Sequence, residues 1–276
     1  MTITSNHVGT SVGENFRTIL AEESGEIMAI GFDEDSTREF VEILAESDEP
    51  PKARLLVEED VLKWVRDNFI LASTAADLLE ADTLEVRAAT DQLDGALMVT
   101  GERVISLLTS DEHSAALVTD DEEFVAAARK QRNDLWEGGE EFDLRTPAYT
   151  RVLDSLAERF SSEMEADFRT ALASVESMAD DGGLDEVGLS LLLAAKHEQL
   201  LYDISRWGED VGVASKATFS RTKTHLEERG LLETEKVPLD VGRPRLRLLV
   251  GDERLGEADA EELVSVAREL LSAVSA

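Results

Sequence analysis

Two hydrophobic rhythms alternate along the first 140 or so positions. Apolar residues at a three-and-four spacing predict helices near Val12 to Glu22 and from about Ser36 to Glu46. Between and after them, the short apolar runs EIMAIGF at 26 to 32 and ARLLV at 53 to 57 predict buried strands. A longer helix is expected from about Glu58 to Leu79. It is followed by TLEVRAA (83 to 89), ALMVTG (96 to 101), RVISLLTS (103 to 110) and SAALVT (114 to 119), a cluster of strands separated by turn residues. A helix from about Asp121 to Trp136 closes the unit. Early βα alternation followed by a meander implies an α/β or α+β domain, a mixed sheet with helices on it, over residues 1 to 145.

The second half is punctuated differently. Thr146 followed by Pro147 is a good helix start, and from there Tyr149, Leu153, Leu156, Phe160, Met164, Phe168, Leu172, Val175 and Met178 keep one stripe. That predicts a single long amphipathic helix over 148 to 178, within a linker or dimerisation segment at 146 to 180. Its stripe fits an intramolecular core or a seam to a second chain equally well. After ADDGG at 179 to 183, helices are expected from Leu184 to Lys196 and from Leu201 to Asp210. Val211 to Ala214 then make a tight connection, and Ser215 caps a third helix. Phe219, Thr222 and Leu226 fall on the buried stripe of that helix, leaving Lys216, Thr218, Ser220, Arg221, Lys223 and Thr224 for its outer side. Gly230 stops the helix, and LLETEKV and RPRLRLLV can pair across PLDVG. This is the order of a winged helix-turn-helix domain at 181 to 251, with Arg243, Arg245 and Arg247 on the wing. Residues 252 to 276 carry a last amphipathic helix, with Leu263, Val266, Leu270, Leu271 and Val274 on one face.

Composition restricts the chemistry. The chain has 276 residues, with no cysteine, so disulfides, thiolate catalysis and cysteine metal sites are excluded. Sixty acids against 27 bases give a net charge of −33, spread over nearly every segment. Only seven of the bases are lysine, leaving 20 arginines. Pervasive carboxylates with a preference for arginine resemble the cytoplasmic proteins of extreme halophiles, whose surface repulsion is screened at molar salt. The other reading is an ordinary acidic interaction protein. Against that background, residues 215 to 225 hold three bases and no acid, as do residues 241 to 249. Two acid-free stretches at the third helix and the wing are what contact with DNA phosphates requires. The candidate DNA-binding residues are therefore Ser215, Lys216, Thr218, Ser220, Arg221, Lys223, Thr224, Arg243, Arg245 and Arg247. A dimerisation domain or a solvated face is the alternative reading of the same stretches.

The stretch SKATFSRTKTHLEERGLL resembles the recognition helix and following strand of archaeal winged-helix regulators. Over its whole length the chain resembles the TbsP group of haloarchaeal regulators, associated with TrmB and with sugar-dependent control of central carbon genes. The resemblance implies a regulator acting on promoter DNA, with an N-terminal half that senses a sugar or sugar phosphate. The effector half of the TrmB group is similar to phospholipase D-like folds, whose enzymes need H-x-K-x-x-x-x-D. None of His7, His113, His197 and His225 has a lysine two positions on. In TrmB, moreover, the DNA-binding module stands at the other end of the chain.

Other candidate sites are weaker. GFDEDST at 31 to 37 ends a strand and begins a helix, so the Ser36 and Thr37 amides could hold an anion, although Asp33 and Asp35 discourage a phosphate. Thr100, Thr109 and Ser110 end strands where ligand pockets often open. His113, beside Asp111 and Glu112, lacks the spacing of a metal site and reads as a solvated turn. No P-loop, G-x-G-x-x-G or G-x-S-x-G is present. The expectation is a cytoplasmic non-enzyme without cofactor, metal or membrane span. It would bind double-stranded promoter DNA as a homodimer built on the long helix, the last helix, or both. A protein-interaction adaptor, or a metabolic enzyme using the winged helix only for assembly, is the alternative.

Overall fold

Ile27–Ile30 is buried at all four positions and Ala53–Val57 at four of five, the burial expected of parallel strands covered on both faces. They form the centre of the first of two units, Met1–Ala148 and Tyr149–Ala276. The computed structural model describes residues 7–9, 12–22, 25–109, 114–176, 184–238 and 244–273. In the first unit the elements run β1 His7–Gly9, α1 Val12–Glu22, β2 Ile27–Ile30, α2 Glu34–Glu46, β3 Ala53–Val57, α3 Glu59–Asp67 and α4 Phe69–Glu80. They continue with β4 Leu84–Ala88, β5 Leu97–Val99, β6 Val104–Thr109, β7 Ser114–Thr119, α5 Glu122–Gly138 and β8 Glu140–Glu141. The sheet order is β1-β7-β6-β5-β2-β3-β4-β8, parallel only at β2–β3 and β3–β4. The expected mixed sheet is thus present, with two short edge strands, β1 and β8, that the sequence pattern did not show.

One face of this sheet carries the larger core, built with α1, α2, α3 and α4. Phe16, Phe32 and Phe40 meet there with ring centroids 5.3 to 5.7 Å apart in stacked and edge-on pairs. Each such contact adds about 0.5–1.5 kcal/mol to the area the rings bury. On the other face, among the described residues, α5 is the helix that packs, through Val125 and Trp136. Gly31, just past β2, has φ of +70°, and a Cβ there would lie 2.4 Å from the Gly95 carbonyl oxygen, so only glycine fits the turn. The helix expected over Glu58 to Leu79 is two helices. Asn68 breaks it because its side-chain oxygen accepts from the Leu71 amide (3.1 Å) and starts α4 afresh.

The second unit comprises α6 Tyr149–Arg159, α7 Ser162–Glu176, α8 Glu186–Lys196, α9 Leu201–Val211, α10 Lys216–Glu228, β9 Leu232–Val237, β10 Arg245–Val250, α11 Glu253–Glu257 and α12 Ala260–Ala273. The single helix expected over 148 to 178 is therefore broken after Arg159. Ser161 accepts from the Met164 amide (3.1 Å) and restarts the chain as α7. Neither piece is a free linker. Trp207 of α9 donates to Ser155 of α6 (2.9 Å) and has Phe160 and Phe168 edge-on, each at 6.4 Å. The buried face of α12 is Leu263, Val264, Ala267 and Leu271, packed on α7, while Val266 and Leu270 are only half-buried. The expected stripe is thus displaced, and Val274 lies outside the described residues.

Candidate nucleic-acid interface

The winged-helix core is assembled from local signals. Asp185 caps α8 by accepting from the Gly188 amide (2.7 Å). Gly212, with φ of +99°, ends α9 in the left-handed conformation and turns the chain toward α10. Ser215 caps α10, its hydroxyl oxygen accepting from the Thr218 amide (3.1 Å). Phe219 and Leu226 are the buried residues of α10, as the period predicted. Gly208 is where α9 and α10 approach closely: a Cβ there would stand 2.2 Å from Phe219 Cε2. The wing strands pair antiparallel from Arg245↔Val237 to Val250↔Leu232, and a Leu200↔Arg247 bridge adds a third short edge.

The outer surface of α10 presents Ser215, Lys216, Ser220, Arg221 and Thr224 to solvent, with Thr218 half-buried beside them. Lys223 departs from the prediction. Its side chain is only 13% exposed and donates to Glu227 Oε2 (2.7 Å), while Glu227 Oε1 accepts from Thr234 of β9 (2.9 Å). The i,i+4 partner and the neighbouring strand draw this lysine inward, toward the junction of helix and wing. Thr222 is half-buried. Arg245 and Arg247 stand on β10, whereas Arg243 lies outside the described residues. Lys236, exposed near the end of β9 opposite Leu246, is a further wing base that sequence reasoning passed over. Its position in a strand otherwise alternating with Glu233 and Glu235 gave no local charge signal.

Most of these bases already have carboxylate partners. Glu209 at the end of α9 holds Lys216 at the start of α10, and the hydrogen bond from Lys216 keeps the Glu209 carboxyl below the usual carboxylate value. Asp203 lies 3.5 Å from Arg245, whose guanidinium also sits 4.1 Å over the Tyr202 ring. Glu235 lies 3.6 Å from Arg247. Arg221, by contrast, has only Thr218 Oγ1 at 3.4 Å among the described residues. The acid-free stretches of sequence are thus not acid-free in space, because α9 and β9 bring carboxylates to them.

The anion and ligand candidates of the first unit fare differently. Asp33 caps α2 by accepting from the Ser36 amide (2.8 Å), its carbonyl accepts from the Thr37 amide (2.9 Å), and both Ser36 and Thr37 are buried. With those amides engaged, this helix start does not offer them to an anion. Thr100 is buried too, its hydroxyl accepting from the amides of Glu102 (3.3 Å) and Arg103 (3.1 Å) to close the β5–β6 turn. The side chain of Thr109, and Ser110, Asp111, Glu112 and His113, lie outside the described residues. Among the described residues there is no group of three or more His, Asp or Glu able to hold a metal, and no helix long and apolar enough to cross a membrane.

Three of the solved structures that resemble the chain illustrate its likeness. One is TrmBL2, described as an archaeal chromatin protein with a novel mode of DNA binding, at 19% identity and a TM-score of 0.36 over 51% of this chain and 55% of that one. The chain thus spans about half the length of TrmBL2. The second is Nuc, a phospholipase D family member from Salmonella typhimurium, at 13% identity and 0.38 over 50% and 97%. The third is NucT from Helicobacter pylori, at 10% and 0.34 over 50% and 99%. No curated protein matches the sequence. Family models match nearly the whole chain: TbsP-like, N-terminal, at residues 4–147, and the TbsP-like C-terminal HTH domain at residues 148–268. With both domain models aligned on the two units, the chain belongs to the family of TbsP-like transcriptional regulators.

Proposed function

We propose that this regulator binds double-stranded promoter DNA sequence-specifically through α10 and the wing, as a homodimer in the cytoplasm of a halophilic archaeon. The genes it controls belong to central carbon metabolism, and its first unit senses a sugar or sugar phosphate. One observation carries the DNA reading: α10, capped by Ser215 and held down by Phe219 and Leu226, turns Lys216, Ser220, Arg221 and Thr224 outward in a chain of net charge −33. A recognition helix of this kind enters the major groove, where arginine and lysine read guanine and hydroxyls grip phosphate. Arg245, Arg247 and Lys236 lie along the neighbouring backbone and set the register. The pervasive acidity and the arginine preference support the halophilic origin. The mixed-sheet first unit and the family support an effector role.

The test is a titration of the full chain with genomic promoter fragments in molar potassium chloride, repeated with candidate sugar phosphates. Arg221→Ala is expected to abolish specific binding while leaving fold and oligomer intact. Unchanged promoter affinity in that variant would refute the assignment of α10. A shift in affinity with one sugar phosphate, and not with the others, identifies the effector.

A further inference from the structure

Among the described residues four large apolar side chains are exposed: Leu108 (53%), Leu117 (42%), Phe124 (55%) and Tyr202 (42%). Tyr202 is accounted for, since Arg245 stacks on it. The other three lie on one side of one sheet. Alternation along β6 sends Ile105 and Leu107 into the larger core, so Leu108 points to the opposite face. The register sets Leu108 against Ala115 and Ser106 against Leu117, placing both leucines on that face. Phe124 projects from α5, the helix that packs on that side over residues of β2, β3, β5 and the start of β6, and among the described residues Leu108 and Leu117 beyond it stay exposed.

Charge identifies what covers this face. In a chain with 32% charged residues, VISLLT of β6 and SAALVT of β7 contain none on either side. At molar salt the long-range repulsion between two copies of net charge −33 is screened, but carboxylates brought into direct contact, within the Debye length of about 3 Å, still repel. A two-fold contact sets one patch against its own copy, so a purely acidic patch would oppose acid to acid, which an uncharged patch avoids. The helices that the sequence offered as dimer seams are already occupied, with Phe168 and Leu172 of α7 and Leu263 and Leu271 of α12 buried within their own unit. We infer that the β6–β7 face, flanked by Phe124, is the surface on which a second copy of this chain docks about a two-fold axis. Sheets stacked in this way lie about 10 Å apart with their side chains interdigitated. The inference draws on the DNA-binding reading only for its purpose, because a two-fold dimer presents two recognition helices to two half-sites.

Sedimentation of the full chain in molar potassium chloride tests it, comparing the parent with Leu108→Asp, Leu117→Asp and, separately, with Phe124→Asp. All three residues are exposed in the single chain, so the substitutions leave the core untouched, and far-ultraviolet circular dichroism checks this. The parent should run at twice 30.3 kDa and the double variant at 30.3 kDa, with Phe124→Asp weakening association. A parent that stays monomeric, or a folded double variant that dimerises as the parent does, overturns the inference. If the double variant does not fold, Phe124→Asp decides: association unchanged from the parent overturns it and weakened association upholds it. The two readings fail separately. A monomeric parent that still binds one half-site leaves the DNA assignment standing, whereas a dimer lost in the double variant but without promoter affinity upholds the interface alone.

Discussion

Replacing Glu209 by glutamine removes the carboxylate that holds Lys216 at the start of α10, and the consequence can be sized from the salt dependence of DNA binding. Each phosphate neutralised by a protein cation contributes about 0.9 to the slope of log affinity against log salt. A cation that stays paired with its own carboxylate neutralises no phosphate and so releases no counterions from the DNA. Of the predicted bases among the described residues, Lys216, Lys223, Arg245 and Arg247 are paired with Glu209, Glu227, Asp203 and Glu235, and Arg221 is not. If those pairs persist on DNA, the predicted contacts give a slope of roughly 0.9. If all are exchanged for phosphate, it approaches roughly 4.5. Where the Lys216 pair persists, Glu209→Gln frees one cation and steepens the slope by about 0.9, so a fourfold dilution of salt strengthens the variant roughly three- to fourfold more than the parent. The assay is fluorescence anisotropy with a labelled promoter fragment over a series of potassium chloride concentrations. An unchanged slope together with unchanged affinity refutes the reasoning, because Lys216 would then meet no phosphate.

Two further substitutions probe the scaffold. Gly208→Ala drives a methyl group into the buried ring of Phe219, at 2.2 Å from Cε2 and 2.4 Å from Cζ, and should cost about 1–3 kcal/mol by urea unfolding while weakening promoter binding. An unchanged midpoint would show that α9 and α10 can separate freely. Glu186, in the first turn of α8, has its carboxyl pushed above the usual 4.5, chiefly by burial. Its ionised form therefore opposes folding, a cost absent below pH 4.5, growing as pH rises from there through the folded value and complete above it. Glu186→Gln should raise the melting temperature at neutral pH, with the gain shrinking as pH falls towards 4.5. A gain independent of pH would assign the effect to something other than ionisation.

The split of the predicted long helices shows where local signals are outvoted in a sequence reading. Asn68 and Ser161 are good cap residues, yet the apolar stripe runs on unbroken past both, so period alone joins what their side chains divide. The reverse holds for the recognition helix. There the serine cap, the Phe219 and Leu226 stripe and the Gly230 stop agree, and the element stands at 216 to 228 as read.

Apart from the edge strands β1 and β8 and the breaks before α4 and α7, the sequence by itself determined the order of the main strands and helices, the mixed character of the first sheet, the winged helix and, Lys223 excepted, the outward face of α10. Those features depend on hydrophobic period and on capping within a few residues. Only the tertiary structure decided which carboxylates meet the bases, since Glu209, Asp203 and Glu235 lie on other elements than the cations they hold. It also decided that α7 and α12 cover one another and that the β6–β7 face remains open, because an amphipathic stripe states only that something must cover it. What does so is fixed by packing between segments far apart in the chain.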